Sequence, residues 1–247
     1  MKTSALLVLA SACSPASSLQ ISAPPLPPIP PTSKRLFLVR HGEVIPPGGK
    51  QGVFYGALDV DLSPLGKQEA DVAADYLAQY DLTHVASSHL KRAIYGAERI
   101  LERQGADPSA LLQYTGFGEL DRGSWAGKTK AQIGEDAMDA FNACRPGTTP
   151  EGGESLIDLR ARVFGARDAL LERTEPGCAC AEVSHLWVTR SLITEALGLG
   201  PEKMHELTIA TASISCVDYC QETGVRTVHF QSFKPDVGLE KSMDGAN

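Results

Sequence analysis

The sequence predicts an α/β fold of three layers, in which helices cover both faces of a mostly parallel central sheet. Short runs that favour strands alternate with longer stretches whose apolar residues recur at helical spacing, and this alternation is typical of parallel sheets. An apolar content of 43% over 247 residues is enough to fill a full core. We therefore expect one sheet-centred domain, with no internal repeat and no Gly-rich nucleotide fingerprint.

The first predicted strand occupies residues 36–40 and ends abruptly in Arg40, His41 and Gly42. Ligands of open α/β sheets bind at the carboxyl ends of the strands, so this strand end is a candidate site. Gly42 lets the backbone turn tightly and approach a ligand, and the Arg40 guanidinium offers permanently charged donors that suit phosphate. An Arg-His-Gly triplet is common by chance. A functional site here therefore requires further chemically active residues elsewhere in the chain.

The later elements follow from capping residues and apolar periodicity. Ser63 suits an N-cap and Pro64 the first helical position, and this helix is expected to reach about Tyr80. The remaining predicted elements are a strand over 82–87, a helix over 90–103, a strand over 110–114, a short helix near 129–141, a helix over 155–173 capped by Ser155, a strand over 181–186, helices over 189–197 and 201–207, and a hairpin over 213–219 and 225–230.

Residues 1–33 do not read as part of the domain. A short apolar run over residues 5–10 leads into Ala10-Ser11-Ala12, which has the form of a cleavage site, and prolines dominate residues 24–31. The apolar run is too short to span a bilayer. We interpret the segment as a leader to the secretory pathway or to an organelle such as a plastid, followed by a linker. The alternative is a disordered tail that carries no targeting signal.

The domain itself is expected over residues 34–232, with a C-terminal tail over residues 233–247. The formal net charge of −7 argues against non-specific nucleic-acid binding, so an anionic ligand must be attracted by a local cluster of cations. Cys178 and Cys180 have no His or Cys partner at a metal-binding spacing. Neither a metal nor another cofactor is therefore expected.

Chemically active side chains recur at the predicted strand ends and in the loops beside them. Because parallel strands end at the same edge of a sheet, the side chains at these ends should emerge together: Arg40, His41, Ser88 and His185. Arg92 lies one turn into the next helix and should point back over that edge. Glu119 lies in a loop from which it could deliver a proton. Two arginines and two histidines would make a strong anion site there.

This set of side chains suits phosphoryl transfer without a metal. A neutral imidazole can attack phosphorus and form a phosphohistidine, which divides the transfer into two steps. Fixed cations must hold the charge on the phosphoryl oxygens, and Arg40, Arg92 and a protonated His185 could supply them. An acid must protonate the leaving alkoxide and then, as a base, activate water, and Glu119 is the candidate.

Seven short segments follow one another along the chain in a specific order. They are Leu38-Val-Arg-His-Gly-Glu43, Tyr55-Gly-x-x-Asp59, Leu62-Ser-x-x-Gly66, Ser87-Ser-x-Leu-x-Arg-Ala93, Gly118-Glu-Leu120 with Gly123-x-Trp-x-Gly127, Pro150-x-Gly-Gly-Glu-Ser155, and Val183-Ser-His185 with Arg190. Together they resemble the histidine phosphatase superfamily, in its phosphoglycerate-mutase-like branch. One segment alone would carry little weight, whereas seven ordered matches are highly specific.

The resemblance implies the same three-layer fold and a phosphohistidine mechanism. By this resemblance His41 is the phospho-accepting nucleophile, Glu119 is the proton donor, and His185 is the third catalytic residue. Together with the strand-edge argument, it leads us to expect phosphate or substrate contacts from Arg40, Gly42, Ser88, Arg92, His185 and the backbone amide of Leu186.

The chain departs from the family pattern at two places. Val44-Ile45-Pro46 follows the first histidine motif, where the family often has a polar pair that helps to hold phosphate. Leu186 and Trp187 follow the second histidine, where many members have Gly-Gly. Leu186 can still donate its amide, although its Cβ restricts close approach. We interpret the change as a shift in the substrate pocket rather than a loss of activity, with Trp187 either near the pocket mouth or in the core.

The expected activity is hydrolysis of a small phosphorylated metabolite. A phosphoglycerate mutase is the first alternative, but mutases of this family carry a longer insertion between the acid and the second histidine. Here Glu119 and His185 are only 66 positions apart (185 − 119). The second alternative is an inactive phosphate-binding or interaction module, which would not need a nucleophile and a proton donor together. The substrate, and whether the chain forms a homodimer, are left open.

Overall fold

The computed structural model of the chain describes residues 25–49 and 52–235. Six strands form one sheet in this part of the chain. They are β1 Ser33–Arg40, β2 Leu82–Ser87, β3 Leu112–Gln113, β4 Ala179–Ser184, β5 Ile214–Cys220 and β6 Arg226–Phe233. The order across the sheet is β3-β2-β4-β1-β5-β6. β1 to β4 are parallel, β5 is antiparallel to β1 and β6 to β5, which confirms a mostly parallel sheet.

Helices cover both faces of this sheet. They are α1 Pro64–Leu77, α2 Lys91–Arg103, α3 Lys130–Ile133, α4 Glu135–Asn142, α5 Leu156–Arg173 and α6 Leu186–Ala196, with 3₁₀ turns at Pro47–Gly49, Pro108–Ala110, Thr115–Phe117, Gly123–Trp125 and Pro201–Glu206. The apolar side chains of α1 and α2 pack on one face, with Phe37 and Val39. Those of α5 and α6 pack on the other, with Leu36 and Leu38. The predicted three layers are therefore confirmed.

β1 is buried along its whole length because it lies inside the sheet, between β4 and β5. Alternate side chains of a strand point to opposite faces, and both faces of this strand meet a core. Burial on both sides explains the continuous apolar run over residues 36–39 of this strand. The run stops at Arg40, which brings a guanidinium to the carboxyl edge of the sheet.

Two helices begin where their capping residues predict. The Ser63 hydroxyl accepts from the Gly66 N–H at 3.0 Å, and Pro64 is the first residue of α1. Ser155 caps α5 in the same way, since its hydroxyl accepts from the Asp158 N–H at 3.1 Å. Each cap satisfies one of the backbone donors that a helix leaves free in its first turn.

The end of β4 and the start of α6 differ from the prediction. β4 ends at Ser184 rather than Leu186, and α6 begins at Leu186 rather than Thr189. The apolar run after His185 reads equally well as strand or helix, and only the pairing of β4 with its neighbours stops the strand. His185 is consequently the residue that immediately precedes α6. Residues 201–207, where the sequence predicts a helix, contain a 3₁₀ helix over Pro201–Glu206.

The described residues include parts of both predicted terminal segments. Leu26 and Ile29, from the predicted linker, pack against the core formed with α1 and α2. Residues 1–24 and 236–247 lie outside the described part of the chain, so the leader with its cleavage site stays a prediction. None of the described helices combines the length and the apolar character that a membrane crossing requires.

Glu182 is a fully buried carboxyl group in the middle of the sheet. It lies in β4, and its Oε1 accepts from the Ser184 hydroxyl at 3.0 Å. Burial raises the pKa of this carboxyl to about 8, because the ionised form loses its hydration. At pH values between the ordinary pKa of a glutamate and this raised value, Glu182 is protonated in the folded chain and ionised in the unfolded chain. The contribution of this group to stability is therefore lost as the pH rises towards 8.

Replacing Glu182 by glutamine should remove this pH dependence. In the wild type we expect this group to lower the free energy of unfolding by up to about 1.4 kcal/mol per pH unit between roughly pH 5 and pH 8. The Glu182→Gln variant should lack that component. Urea unfolding across this pH range measures the difference, with the exposed Glu98→Gln as the control. Parallel pH profiles for the wild type and Glu182→Gln would contradict the prediction.

Candidate active site

Three predicted site residues lie at the carboxyl ends of neighbouring strands. Arg40 ends β1, Ser88 follows β2, and His185 follows β4, and these strands are adjacent in the order β2-β4-β1. The backbone ties the ends together, since the His41 N–H donates to the Ser184 carbonyl at 2.9 Å. The imidazole rings of the two histidines consequently lie 5.1 Å apart between centroids, at an interplanar angle of 61°.

His41 is a neutral imidazole with a fixed tautomer. Its Nδ1 lies 2.7 Å from the Gly42 carbonyl oxygen, which can only accept, so Nδ1 carries the hydrogen and Nε2 bears the lone pair. Burial, followed by the charges of Arg92 and Arg40, lowers the pKa of His41 well below its ordinary value. Nε2 is buried and has no hydrogen-bond partner among the described residues. Its lone pair is therefore available to an electrophile at neutral pH.

Two buried arginines are held in place by backbone carbonyls. Arg40 donates from Nη1 to the Ile209 carbonyl at 2.6 Å. Arg92 donates from Nη1 to the Leu58 carbonyl at 2.6 Å and from Nη2 to the Gly56 carbonyl at 2.8 Å. Nε and Nη2 of Arg40 and Nε of Arg92 have no partner in the described structure. Both guanidinium groups are thus rigid cations with donors to spare, which suits the binding of an oxyanion.

His185 faces His41 and is held by Ser88. Its Nε2 lies 2.8 Å from the Ser88 hydroxyl, which also accepts from the Leu90 N–H at 3.1 Å. Burial and then the charge of Arg92 lower the pKa of His185 well below its ordinary value. The ring is therefore neutral here, whereas a protonated ring was expected. If the Ser88 hydroxyl donates to Nε2, Nδ1 carries a hydrogen that it can donate to a phosphoryl oxygen.

Glu119 is 2% exposed and is held through one carboxylate oxygen. Its Oε1 accepts from the backbone N–H groups of Leu120 at 2.8 Å and Trp187 at 3.2 Å, and Trp187 lies in the first turn of α6. Arg162 of α5 fixes the loop, since it donates to the Gly118 and Glu119 carbonyls at 2.7 and 3.1 Å. Oε2 has no partner among the described residues and can give or take a proton.

The unpartnered atoms of these side chains suit phosphoryl transfer, and one protein family shares the sequence pattern around them. A family model described as the histidine phosphatase superfamily, branch 1, matches residues 36–231. The chain belongs to the histidine phosphatase superfamily. The predicted resemblance is thereby confirmed over nearly the whole described part of the chain.

The relatives of this chain include proteins named as phosphatases and as mutases. The glucosyl-3-phosphoglycerate phosphatase of Mycobacterium tuberculosis is 37% identical over 132 residues, which are 53% of this chain and 57% of that protein. The match thus spans little more than half of that relative. A 2,3-bisphosphoglycerate-dependent phosphoglycerate mutase of Cytophaga hutchinsonii is 28% identical over 84% of this chain and 97% of its own. The solved structure of a mycobacterial glucosyl-3-phosphoglycerate phosphatase aligns with a TM-score of 0.70 and 26% identity, covering 81% of this chain and 99% of that one.

The two residues that replace Gly-Gly in this chain begin α6, and their side chains are buried. Leu186 and Trp187 both belong to the core on the α5 side of the sheet. The Trp187 ring centroid lies 5.2 Å from the guanidinium carbon of Arg122 and 4.8 Å from that of Arg190. Of the two positions left open by the sequence, Trp187 takes the one in the core. Its amide reaches the site, through the hydrogen bond to the Glu119 carboxylate.

The Val44-Ile45-Pro46 segment borders, through Ile45, an open cleft that Arg92 also lines. Val44 forms an isolated bridge with Leu62, while the Ile45 side chain is 51% exposed. The cleft has a volume of about 620 Å³ and is lined by Ile45, Asp61, Leu62, Pro64, Lys67, Lys91, Arg92 and Tyr95. An apolar side chain and two lysines thus flank the approach to Arg92.

The glycine at position 42 is required by packing against α1. A Cβ built on Gly42 would lie 2.1 Å from the Gly66 carbonyl oxygen, and a Cβ on Gly66 would lie 1.9 Å from the Glu43 carbonyl oxygen. Such distances are far shorter than van der Waals contact. The two backbone segments can therefore lie this close only when both residues are glycine. The ligand contact that the sequence predicts for Gly42 stays a prediction, and the neighbour that excludes a side chain here is the backbone of the protein itself.

Replacing Gly42 by alanine should therefore destabilise the protein and displace His41. We expect the free energy of unfolding to fall by more than about 2 kcal/mol, because backbone atoms must move apart. The matched control is Gly165→Ala, since Gly165 lies inside α5 with no atom near its added Cβ. This variant should gain up to about 1 kcal/mol from helix propensity. Thermal or urea unfolding measures both, and a wild-type stability for Gly42→Ala would contradict the packing argument.

The loop that carries His41 is anchored by a carboxylate that the sequence pattern does not reveal. Glu69 of α1 is 1% exposed, and its Oε2 accepts from the Glu43 N–H at 2.7 Å. Its Oε1 forms an ion pair with Lys234, beyond the end of β6. The Ala212 N–H donates to the His41 carbonyl at 3.0 Å. These partners are distant from Glu69 in sequence. The local sequence alone therefore predicts a solvent-exposed helix residue at this position.

Proposed function

We propose that this chain is a metal-independent phosphomonoesterase that hydrolyses a small phosphorylated metabolite through a phosphohistidine on His41. The observation that carries the proposal is a set of buried polar atoms that lack partners in the described protein. They are Nε and Nη2 of Arg40, Nε2 of His41, Nε of Arg92, Oε2 of Glu119 and Nδ1 of His185. One nucleophilic lone pair, several fixed donors and one carboxylate oxygen are the groups that phosphoryl transfer needs.

In the first half of the reaction, the Nε2 lone pair of His41 attacks phosphorus while the bond from phosphorus to the alcohol oxygen breaks. Glu119 in its protonated form gives its proton to the leaving alkoxide. Arg40 and Arg92 hold the phosphoryl oxygens. The Gly42 carbonyl accepts from Nδ1–H and so stabilises the positive charge that the imidazole acquires.

In the second half, water attacks the phosphoryl group on the opposite side from Nε2. The Glu119 carboxylate takes a proton from this water as the new oxygen–phosphorus bond forms. The nitrogen–phosphorus bond breaks, and its electron pair returns to Nε2 of His41. Inorganic phosphate leaves, and Glu119 is again protonated for the next substrate.

One observation favours a mutase as a second candidate, namely the 28% identity with a phosphoglycerate mutase over 97% of that protein's length. The two activities share the first half of the reaction and differ in whether water or an alcohol then takes the phosphoryl group. Between Glu119 and α5, the structure contains a 3₁₀ turn and the short helices α3 and α4. This segment is short, so it can cover little of a second phosphorylated molecule. Its length therefore supports transfer of the phosphoryl group to water.

The proposal is tested with the full chain and a chelator present. We expect release of inorganic phosphate from p-nitrophenyl phosphate, and from members of a panel that contains glucosyl-3-phosphoglycerate, 3-phosphoglycerate and sugar phosphates. A mutase would instead interconvert 3- and 2-phosphoglycerate with little release of phosphate. An inactive module would bind phosphate or vanadate without turnover. Loss of activity on chelation would contradict the metal-independent mechanism.

A further inference from the structure

Arg122 is a buried cation in the loop that carries the proposed acid. The residue is 1% exposed, and neither Nη1 nor Nη2 has a hydrogen-bond partner among the described residues. Its guanidinium carbon lies 4.5 Å from the Phe54 ring centroid and 5.2 Å from that of Trp187. Burial lowers the pKa of Arg122 to about 10, so the group remains charged at neutral pH. Both of its terminal nitrogens are thus held in position and have donors to offer.

Comparison with the other buried arginines shows what is unusual here. Five arginines are buried in the described structure. Arg35 forms an ion pair with Asp218, and Arg167 forms ion pairs with Asp168 and Glu195. The three that form no ion pair within the described residues are Arg40, Arg92 and Arg122. Since a buried cation without a counter-ion is costly, a bound anion is the simplest compensation. Arg122 shares this property with the two arginines assigned to the phosphoryl group.

The position of Arg122 identifies which part of a substrate it would meet. The Glu119 charge raises the pKa of Arg122 against the effect of burial, so the two groups interact, yet they form neither a hydrogen bond nor an ion pair. Trp187, which stacks on Arg122, also donates its amide to Glu119. Arg122 therefore lies on the side of the acid, where the leaving alcohol of a phosphomonoester must sit.

A neighbouring loop contacts both Arg122 and Arg92, the arginine proposed to hold phosphate. The Gly56 carbonyl accepts from Arg92, and a Cβ built on Gly56 would lie only 2.7 Å from Cγ of Arg122. Gly56 has a φ of +44°, a conformation that favours glycine, and so allows both contacts at once. Arg190, on Trp187, adds a second cation nearby. This side of the site is strongly cationic, although the chain as a whole is acidic.

We infer that Arg122 binds a second anionic group, a carboxylate or phosphate on the alcohol portion of the substrate, through its two free terminal nitrogens. The inference rests on the proposed phosphomonoesterase function and narrows it to phosphate esters of acidic alcohols. A guanidinium with both Nη atoms free matches two oxygens of such a group, whereas a neutral alcohol leaves the cation unpaired.

The test compares 3-phosphoglycerate with glycerol 3-phosphate, which has the same three-carbon skeleton without the carboxylate. In the wild-type full chain, kcat/KM should be higher for 3-phosphoglycerate by roughly tenfold or more. In Arg122→Met, kcat/KM for 3-phosphoglycerate should fall by roughly 100-fold, mainly through KM, and the preference should disappear. Arg122→Lys should recover part of it, since the charge returns without the two-nitrogen geometry. Arg160→Met, a partly exposed arginine on α5, is the control and should keep the preference.

Binding measured by calorimetry separates this inference from the proposed activity. A wild-type chain that hydrolyses none of the esters but binds 3-phosphoglycerate more tightly than glycerol 3-phosphate, with the difference lost in Arg122→Met, would refute the activity and support the subsite. Equal losses for both esters in Arg122→Met would overturn the inference and assign Arg122 to positioning Glu119. No preference in the wild type, in turnover or binding, would also overturn it.

Discussion

Replacing His41 by alanine is expected to lower turnover of p-nitrophenyl phosphate by roughly 10⁴-fold or more, because the reaction loses its nucleophile. Nε2 of this residue is the buried lone pair that the site leaves without a partner, and its tautomer is fixed by the Gly42 carbonyl. Rapid quenching with radiolabelled substrate should trap an acid-labile phosphoprotein in the wild type and none in His41→Ala. The measurement therefore reports the intermediate as well as the rate.

The exposed His205 is the matched control for this substitution. His205→Ala should label and turn over substrate as the wild type does. Equal turnover in His41→Ala would show that the nucleophile is another group. His185 would be the next to examine, in the tautomer whose Nε2 donates to Ser88 and whose buried Nδ1 bears the lone pair. In His41→Ala, loss of turnover with normal labelling would place the defect in dephosphorylation instead.

Replacing Glu119 by glutamine should separate the two halves of the reaction. Glutamine keeps an oxygen that accepts from the Leu120 and Trp187 amides, so the loop should stay in place. It can neither give a proton to an alkoxide nor take one from water. For an alkyl ester such as glycerol 3-phosphate, we expect turnover to fall by roughly 10²- to 10⁴-fold, since phosphorylation of the enzyme becomes slow.

An aryl ester should behave differently in the same Glu119→Gln variant. Because p-nitrophenolate leaves without needing a proton, the variant should release one equivalent of it in a burst and then stall as the phosphoenzyme. Stopped-flow absorbance measures this burst, and Glu151→Gln, at an exposed position in a neighbouring loop, is the control. No burst, together with equal losses for aryl and alkyl esters, would mean that Glu119 is not the proton donor.

The meeting of Arg40, His41 and His185 could be predicted because it depends on a single rule. Strands of a parallel sheet end at one edge, whatever their exact register, so residues at those ends share that edge, and these residues meet because β4 lies beside β1. Ser63 and Ser155 could be predicted as caps for a similar reason, since a cap depends only on residues within one helical turn. Local patterns and one general property of sheets therefore account for the fold class and the position of the site.

The parts that could not be predicted depend on contacts between distant residues. The start of α6 at Leu186 is set by where β4 stops pairing, and an apolar run does not contain that information. The lowered pKa of His185 follows first from burial and then from the charge of Arg92, with smaller contributions from His41 and two further arginines. Arg122 looks like any charged loop residue until Phe54 and Trp187 enclose it. The electrostatics of the site emerge only when the chain is folded.

The contact between Glu119 and α6 bears on how this site could change during evolution or redesign. The carboxylate is held by the amide of residue 187, and an amide is present whatever side chain that residue carries, except in proline. Substitutions at this position can therefore change the packing around Arg122 and Arg190 while the proposed proton donor keeps its amide anchor. The amide contact with Glu119 and the side-chain contacts with the two arginines are thus separable at residue 187, which makes it a rational position for a library that alters the surroundings of Arg122.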